Sequence, residues 1–324
     1  MTQLPPLRFR PVIRHYMWGG KRLGAELGKP IGDSETAAEC WEIVDHGADQ
    51  SVVAEGPLAG KTLHDIVTQH SADLFGRHHP RRQFPLLLKL LDCQKTLSVQ
   101  VHPNDAQGAK LTPPDLGKTE AWFVLAADPG CKIYAGLKPG VDRHALESAV
   151  AAGTCEECLH EFEARAGDCL LIEAGTVHAL GAGLLIAEIQ QASDTTYRLF
   201  DWNRVDRDGK PRELHIRQAL DVIDFSRGPV EPVSSEAMPL GGVACLARCD
   251  KFVLDRRDIT KPQPLPRDER FHILAVVDGV LELRSKESSS VLQRGETILV
   301  PATTRDVDLF AQDPATVLDM YLPD

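Results

Sequence analysis

The apolar residues of this chain come in short runs, each closed by Gly, Pro, Asn or Asp. Runs over 84–91, 96–102, 120–126, 166–172, 184–190 and 197–202 have strand length. Many short strands at close spacing predict a mainly β protein, a sandwich or barrel. Three segments read as helices. The first, 62–75, places Leu63, Ile66, Val67 and Leu74 near one face, with Thr62 as N-cap. The second, 142–152, is Ala-rich and ends at Gly153, a suitable C-cap. The third covers about 216–223.

A weak repeat points to two copies of one β unit. The stretch 167–178 (GDCLLIEAGTVH) lines up with 295–306 (GETILVPATTRD), and 122–128 (WFVLAAD) parallels 272–278 (HILAVVD). Asp306 stands where the first copy has His178, so the second unit is expected to be structural. The Pro- and Ser-rich stretch 227–240 (RGPVEPVSSEAMPL) is a plausible linker between them. The expected division is therefore 1–226, carrying the site, and 227–324.

Composition narrows the function. Of the 324 residues 43% are hydrophobic and 26% charged, as in a globular protein with a real core, and the net charge is −11. No basic face or tail suited to nucleic acid is evident, and no polybasic membrane patch. No run reaches the length of a transmembrane helix, and the N-terminus lacks a secretory pattern. Eight cysteines without such a signal indicate free thiols in a reducing, cytoplasmic setting. Cys155 and Cys158 form a lone C-x-x-C with no second pair of ligands, so they read as incidental thiols. An anionic ligand would need a few well-placed cations against this acidic background.

Three segments carry chemistry. In 97–103 (LSVQVHP) the alternation is that of a strand, so Ser98, Gln100 and His102 share one face. In 117–122 (GKTEAW), Lys118 and Glu120 share a face. His178 follows Ala174, Gly175 and Thr176 after an apolar strand. Two imidazoles, a carboxylate and an amide oxygen form a reasonable zinc site, and a set without thiolates suits catalysis. Each residue alone has a bland reading: a satisfied strand histidine, a solvated Gln100 or Ser98, an ion pair between Lys118 and Glu120. The case rests on all of them occurring together. Lys89 lies in an apolar run and needs a partner or a snorkelling route. Arg198 offers a planar cationic fork, or else a surface ion pair with Asp194 or Asp201. His78 and His79 read as part of a solvated basic turn, and 201–210 as a charged hairpin or loop.

The segments 85–92 (PLLLKLLD), 97–103, 117–122 and 174–181 (AGTVHALG) resemble the signature of the type I phosphomannose isomerases. So do Glu188, Gln190, Gln191, Ser193, Asp194, Tyr197 and Arg198 downstream, and 16–20 (YMWGG) and 39–42 (ECWE) upstream. The likeness covers roughly 7–225 and is to the short bacterial form. It implies a bicupin, two jelly-roll barrels with a few short helices and the metal in the first. It implies one zinc per chain, on Gln100, His102, Glu120 and His178. Arg198 falls on the family's essential arginine, Lys118 on its motif lysine, and Lys89 and Ser98 on its phosphate pocket. Glu188 matches a site acid after a one-residue adjustment. Where the general cupin turn has Pro, this chain has Glu173, expected to be exposed. The implied reaction interconverts mannose 6-phosphate and fructose 6-phosphate, through an enediolate, in a monomer or homodimer. The competing readings are a non-haem iron cupin oxygenase and a sugar-phosphate-binding bicupin without activity.

Overall fold

A computed structural model describes residues 4–205, 208–234, 242–285 and 289–324. The short apolar runs form antiparallel strands in two units, each of two facing sheets. In the first unit a seven-stranded sheet runs in the order Val233–Ser234, Asp168–Ile172, Glu120–Ala127, Leu184–Gln191, Leu86–Cys93, Ala37–Ile43, Val12–Gly20. Facing it is a five-stranded sheet: Leu159–Glu163, Lys132–Leu137, His178–Leu180, Val99–Val101, Tyr197–Phe200. In the second unit a five-stranded sheet centred on Ala315–Tyr321 faces a four-stranded one. This is a mainly β, cupin-like architecture. Within each unit the two sheets stack face to face; among the described residues no strand ladder joins them into a closed barrel.

Central strands such as Leu86–Cys93 and Leu184–Gln191 are buried along their whole length. Such strands read as continuous apolar runs because both faces are covered. The main apolar cluster spans both units. Leu4, Leu7, Phe75 and Phe84 pack with Phe271, Ile273, Leu299 and Met320. Leu7 also bridges to Leu299 through two backbone hydrogen bonds of 2.8 and 2.9 Å. The linker stretch is tied to the first unit, since Val233 and Ser234 pair with Cys169 and Asp168. Its positions 235–240, and Asp206 of the charged hairpin, lie outside the described residues. No helix among the described residues is long and apolar enough to cross a membrane.

Two helical expectations hold closely. Asp142 caps Arg143–Ala152 by accepting from the Ala145 amide, and Gly153 ends it at φ 76°. Ile216–Val222 is the third helix. The first expected helix divides. Leu63–Gln69 starts with a reciprocal capping box between Thr62 and Asp65, then His70 leaves the helical region (φ −130°, ψ 28°) and Ser71–Phe75 restarts.

The two units superpose their turns as the repeat suggests, but not the upstream strand. Gly167 donates to Val124 O and Gly295 to Val276 O, both at 2.8 Å. Ile172 pairs with Glu120, whereas Val300 pairs with His272. His272 therefore occupies the place of Glu120, two residues from the match to Trp122 that sequence similarity suggests. A slip of two keeps every side chain on its own face, so apolar alternation cannot detect it.

Candidate active site

The site lies between the sheets of the first unit, and Gln100 is its midpoint. Gln100 pairs with His178 on one side and with Arg198 on the other. Ser98 and His102 lie two residues to either side along the same strand, hence on its inner face. The opposite sheet contributes Glu120, whose strand begins just after Gly117 and Lys118. A Cβ on Gly117 would meet the Asp105 amide nitrogen at 2.4 Å, so only glycine lets this segment pass under the 104–105 turn. Lys118 N then donates to Pro103 O at 3.0 Å, which fixes the lysine beside His102.

One candidate ligand atom each from His102, Glu120 and His178 falls within a span of 4.8 Å, and all three residues are buried. His102 Nδ1 lies 3.0 Å from Thr195 O, and His178 Nδ1 lies 2.9 Å from Thr176 O. A carbonyl can only accept, so both Nδ1 atoms carry the proton and both Nε2 atoms are left as acceptors. These Nε2 atoms approach Glu120 at 3.5 and 3.3 Å. Burial holds both rings neutral, pushing His178 down to about 4 and His102 well below its usual value.

Glu120 is fully buried, and neither carboxylate oxygen accepts a hydrogen bond. Lys118 Nζ lies 2.8 Å from Oε2, an ion pair without hydrogen-bond alignment, and 3.2 Å from His102 Nε2. A buried carboxylate with orphaned oxygens, facing two neutral imidazole lone pairs, fits a bound cation. Gln100 Nε2 lies 3.2 Å from His178 Nε2, and turning the amide over puts its oxygen there instead. The donor set thus fits zinc: two nitrogens, a carboxylate and a neutral oxygen, with no thiolate.

The adjoining cavity, about 230 Å³, is lined by Tyr16, Trp18, Glu39, Lys89, Ser98, Gln100, Lys118, Glu188, Asp194, Arg198 and Arg212. Trp41, Lys89, Glu188 and Trp122 form one row across the large sheet. Lys89 is buried, and its Nζ lies 3.6 Å from Glu39, 3.7 Å from Asp194 and 3.9 Å from Glu188. Burial opposes its charge, but these carboxylates outweigh that and raise its pKa. Glu188 accepts from Trp122 Nε1 at 3.0 Å, and burial followed by the charge of Glu120 pushes its pKa up. Arg198 donates through Nε to Ser98 Oγ (3.3 Å) and through Nη1 to Glu213 O (2.7 Å). Its guanidinium makes those two bonds rather than the surface ion pair with Asp194 or Asp201 that is its bland reading.

All nine candidate residues thus border one site. The reading from sequence does not single out Glu39, Asp194, Tyr16, Trp18 or Arg212 as site residues, although the first four stand within its quoted motifs. Elsewhere, His78 is bound to Pro323 O and His79 to Ser71 Oγ, away from the cluster. Cys155 and Cys158 are buried free thiols, with Cys155 pushed up to about 12 by burial. Glu173 is half-buried and ion-paired with Arg227.

Fold and site define a two-unit cupin-like protein with an internal His/Glu/His centre beside a polar cavity. Residues 7–120 match the phosphomannose isomerase type I catalytic domain, and residues 244–312 the mannose-6-phosphate isomerase cupin domain. Mannose-6-phosphate isomerase ManA of Bacillus subtilis is 35% identical over 91% of this chain and 93% of its own. Mannose-6-phosphate isomerase of Streptococcus mutans is 33% identical over 93% of each. The crystal structure of the mannose 6-phosphate isomerase from Bacillus subtilis superposes with a TM-score of 0.89 at 30% identity, covering 98% of this chain and 99% of that one. The chain belongs to the type I mannose-6-phosphate isomerase family.

Proposed function

We propose that this protein interconverts mannose 6-phosphate and fructose 6-phosphate with one zinc per chain, held by Gln100, His102, Glu120 and His178. The observation that carries the reading is Glu120, a fully buried carboxylate without hydrogen bonds that faces two imidazole Nε2 atoms. Zinc, when bound, would polarise the sugar carbonyl and stabilise developing enediolate charge.

The chain's own groups account for the rest. Isomerisation moves a proton between C1 and C2, which needs a base close to neutral pKa. Glu188 is the assigned base, because burial and Glu120 both shift it in that direction. Lys118, whose Nζ lies 2.8 Å from Glu120 Oε2, is the assigned donor to the substrate oxygens. Ser98 and Arg198 form the phosphate end. Lys89 lines the same cavity, but three carboxylates hold its charge, so its proposed task is to keep that acidic wall together.

The test is conversion of mannose 6-phosphate to fructose 6-phosphate before and after chelation, with metal content read on the same sample. Activity lost with zinc and regained on its return supports the reading. A folded, zinc-loaded sample that does not turn over this substrate contradicts it.

A further inference from the structure

Lys118 sits at the centre of a short segment whose amides are held by a turn and two side chains. Gly117 N donates to Asp105 Oδ1 at 2.9 Å, Lys118 N to Pro103 O at 3.0 Å and Thr119 N to Gln191 Oε1 at 3.1 Å. The strand Glu120–Ala127 begins only after them. The two side chains also hold each other, since Gln191 Nε2 donates to the same Asp105 Oδ1 at 2.8 Å. A carboxylate only accepts, so Asp105 decides which way the Gln191 amide points and keeps its oxygen toward Thr119. Asp105 itself lies in a turn that follows His102 and Pro103. A reciprocal capping box locks that turn: Gln107 N donates to Asn104 Oδ1 at 3.0 Å, and Asn104 N to Gln107 Oε1 at 2.9 Å.

The other oxygen of Asp105 meets the second unit. Lys251 Nζ lies 2.7 Å from Asp105 Oδ2 and 2.8 Å from Asp250 Oδ2. Lys251 stands in the turn between Gly242–Arg248 and Val253–Ile259. Cys249 N donates to Phe252 O across that turn at 3.0 Å. Phe252 is fully buried in the apolar cluster that both units share, which anchors the lysine's backbone. Burial works against the charge of Lys251, but its hydrogen bonds to Asp105 and Asp250 outweigh that and raise its pKa. Asp105 and Lys251 are both partly exposed, so their ion pair adds little to stability. What it fixes is position.

We propose that Lys251 and Asp105 are positioning residues for Lys118, a link through which the second unit sets the place of an active-site group in the first. This rests on the reading of Lys118 as donor to the substrate oxygens and deepens it. The second unit, expected from its missing histidine to be structural, thereby takes part in turnover without touching substrate. Lys118 Nζ lies 2.8 Å from Glu120 Oε2 and 3.2 Å from His102 Nε2, so a shift of its backbone moves the ammonium between them. Misplacing a reacting group by about 1 Å can cost on the order of a hundredfold in rate. Neither hydrogen bond from the Arg198 guanidinium goes to this link, so the phosphate end stays in place and the loss falls on kcat.

The experiment compares wild type with Asp105→Ala, Lys251→Met, Lys251→Arg and the Asp105→Ala/Lys251→Met double variant. The first measurement is steady-state turnover of mannose 6-phosphate. Asp105→Ala is expected to lower kcat about tenfold or more and Lys251→Met about threefold or more, with KM within about threefold in both. Lys251→Arg should recover most of the loss. The double variant should be no slower than Asp105→Ala alone, because both residues act through one link. The second measurement, hydrogen exchange over 104–120 followed by mass spectrometry, needs no turnover. Exchange there should be faster in Lys251→Met than in wild type, with the melting temperature little changed. In a wild type that isomerises, an unchanged kcat in Lys251→Met overturns the proposal, as do losses that simply multiply in the double variant or that fall on KM. In a wild type that does not isomerise mannose 6-phosphate, faster exchange in Lys251→Met keeps the link and removes the isomerase reading. Unchanged exchange overturns the link in either case.

Discussion

Lys118 holds its ammonium 2.8 Å from Glu120 Oε2, deep between the sheets of the first unit, where both residues are buried. Before metal arrives, this lysine is the nearest cation to a carboxylate that accepts no hydrogen bond. On the proposed zinc reading, the metal and Lys118 would compete for one electrostatic role. Lys118→Met leaves the buried carboxylate of the metal-free protein unpaired, a loss of about 3–5 kcal/mol. Zinc should then raise the melting temperature more in the variant than in wild type, because it restores the missing positive charge. Differential scanning calorimetry with and without zinc checks this. Equal zinc-induced shifts would show that Lys118 and the metal do not share Glu120.

Much of this site is legible in the chain because it lies in short, strongly patterned segments. The alternation of 97–103 puts Ser98, Gln100 and His102 on one face before any tertiary contact is known; in the structure Ser98 and Gln100 line the cavity and His102 joins Glu120 and His178 beside it. Arg212 and Asp194 are different. Arg212 follows the isolated bridge between Val205 and Pro211, and Asp194 lies between two strands, so only the folded topology brings such groups beside Lys89 and Arg198. No local period marks them. The break at His70 is equally invisible, since the apolar positions of Leu63, Ile66 and Leu74 suit one helix or two.

In the second unit a network of charges surrounds His272, the position that corresponds to Glu120. His272, in the place of Glu120, lies 2.8 Å from Asp319 through Nδ1 and 3.3 Å from Asp268 through Nε2. Arg257 donates to the other Asp319 oxygen at 2.7 Å, and Arg270 flanks Asp268 at 3.3 Å. Burial works against charge on His272, but Asp319 and Asp268 outweigh it and raise its pKa to about 9. A folded pKa above the unfolded value of 6.5 means the stabilisation is complete below pH 6.5. It is lost as pH rises through 9, by about 3 kcal/mol in all. Urea midpoints measured from pH 6 to 10 should fall in wild type, and His272→Gln should flatten that part of the profile. Parallel profiles would show that His272 is neutral in the folded protein.

Phe271 joins the two units. Its ring centroid lies 4.8 Å from that of Phe84 and 6.1 Å from that of Phe75, and it is fully buried. Phe84 and Phe75 come from the first unit and Phe271 from the second, so one apolar cluster serves both. Phe271→Ala should cost about 3–5 kcal/mol. Because the core is shared, thermal unfolding should remain a single transition at lower temperature. Two separated transitions in the variant would mean that the units hold together by other contacts.

The central claim is that His178 helps hold the metal on which turnover depends. Its Nδ1 hydrogen bond to Thr176 O orients the ring, and its Nε2 faces Glu120 at 3.3 Å. The direct measurement is zinc content by elemental analysis, with mannose 6-phosphate turnover on the same sample, in wild type and His178→Ala. Wild type should hold about one zinc per chain, as a single four-ligand site requires. The variant should lose both zinc and turnover while keeping its β circular dichroism. A variant that retains full zinc and full turnover would contradict the assigned centre.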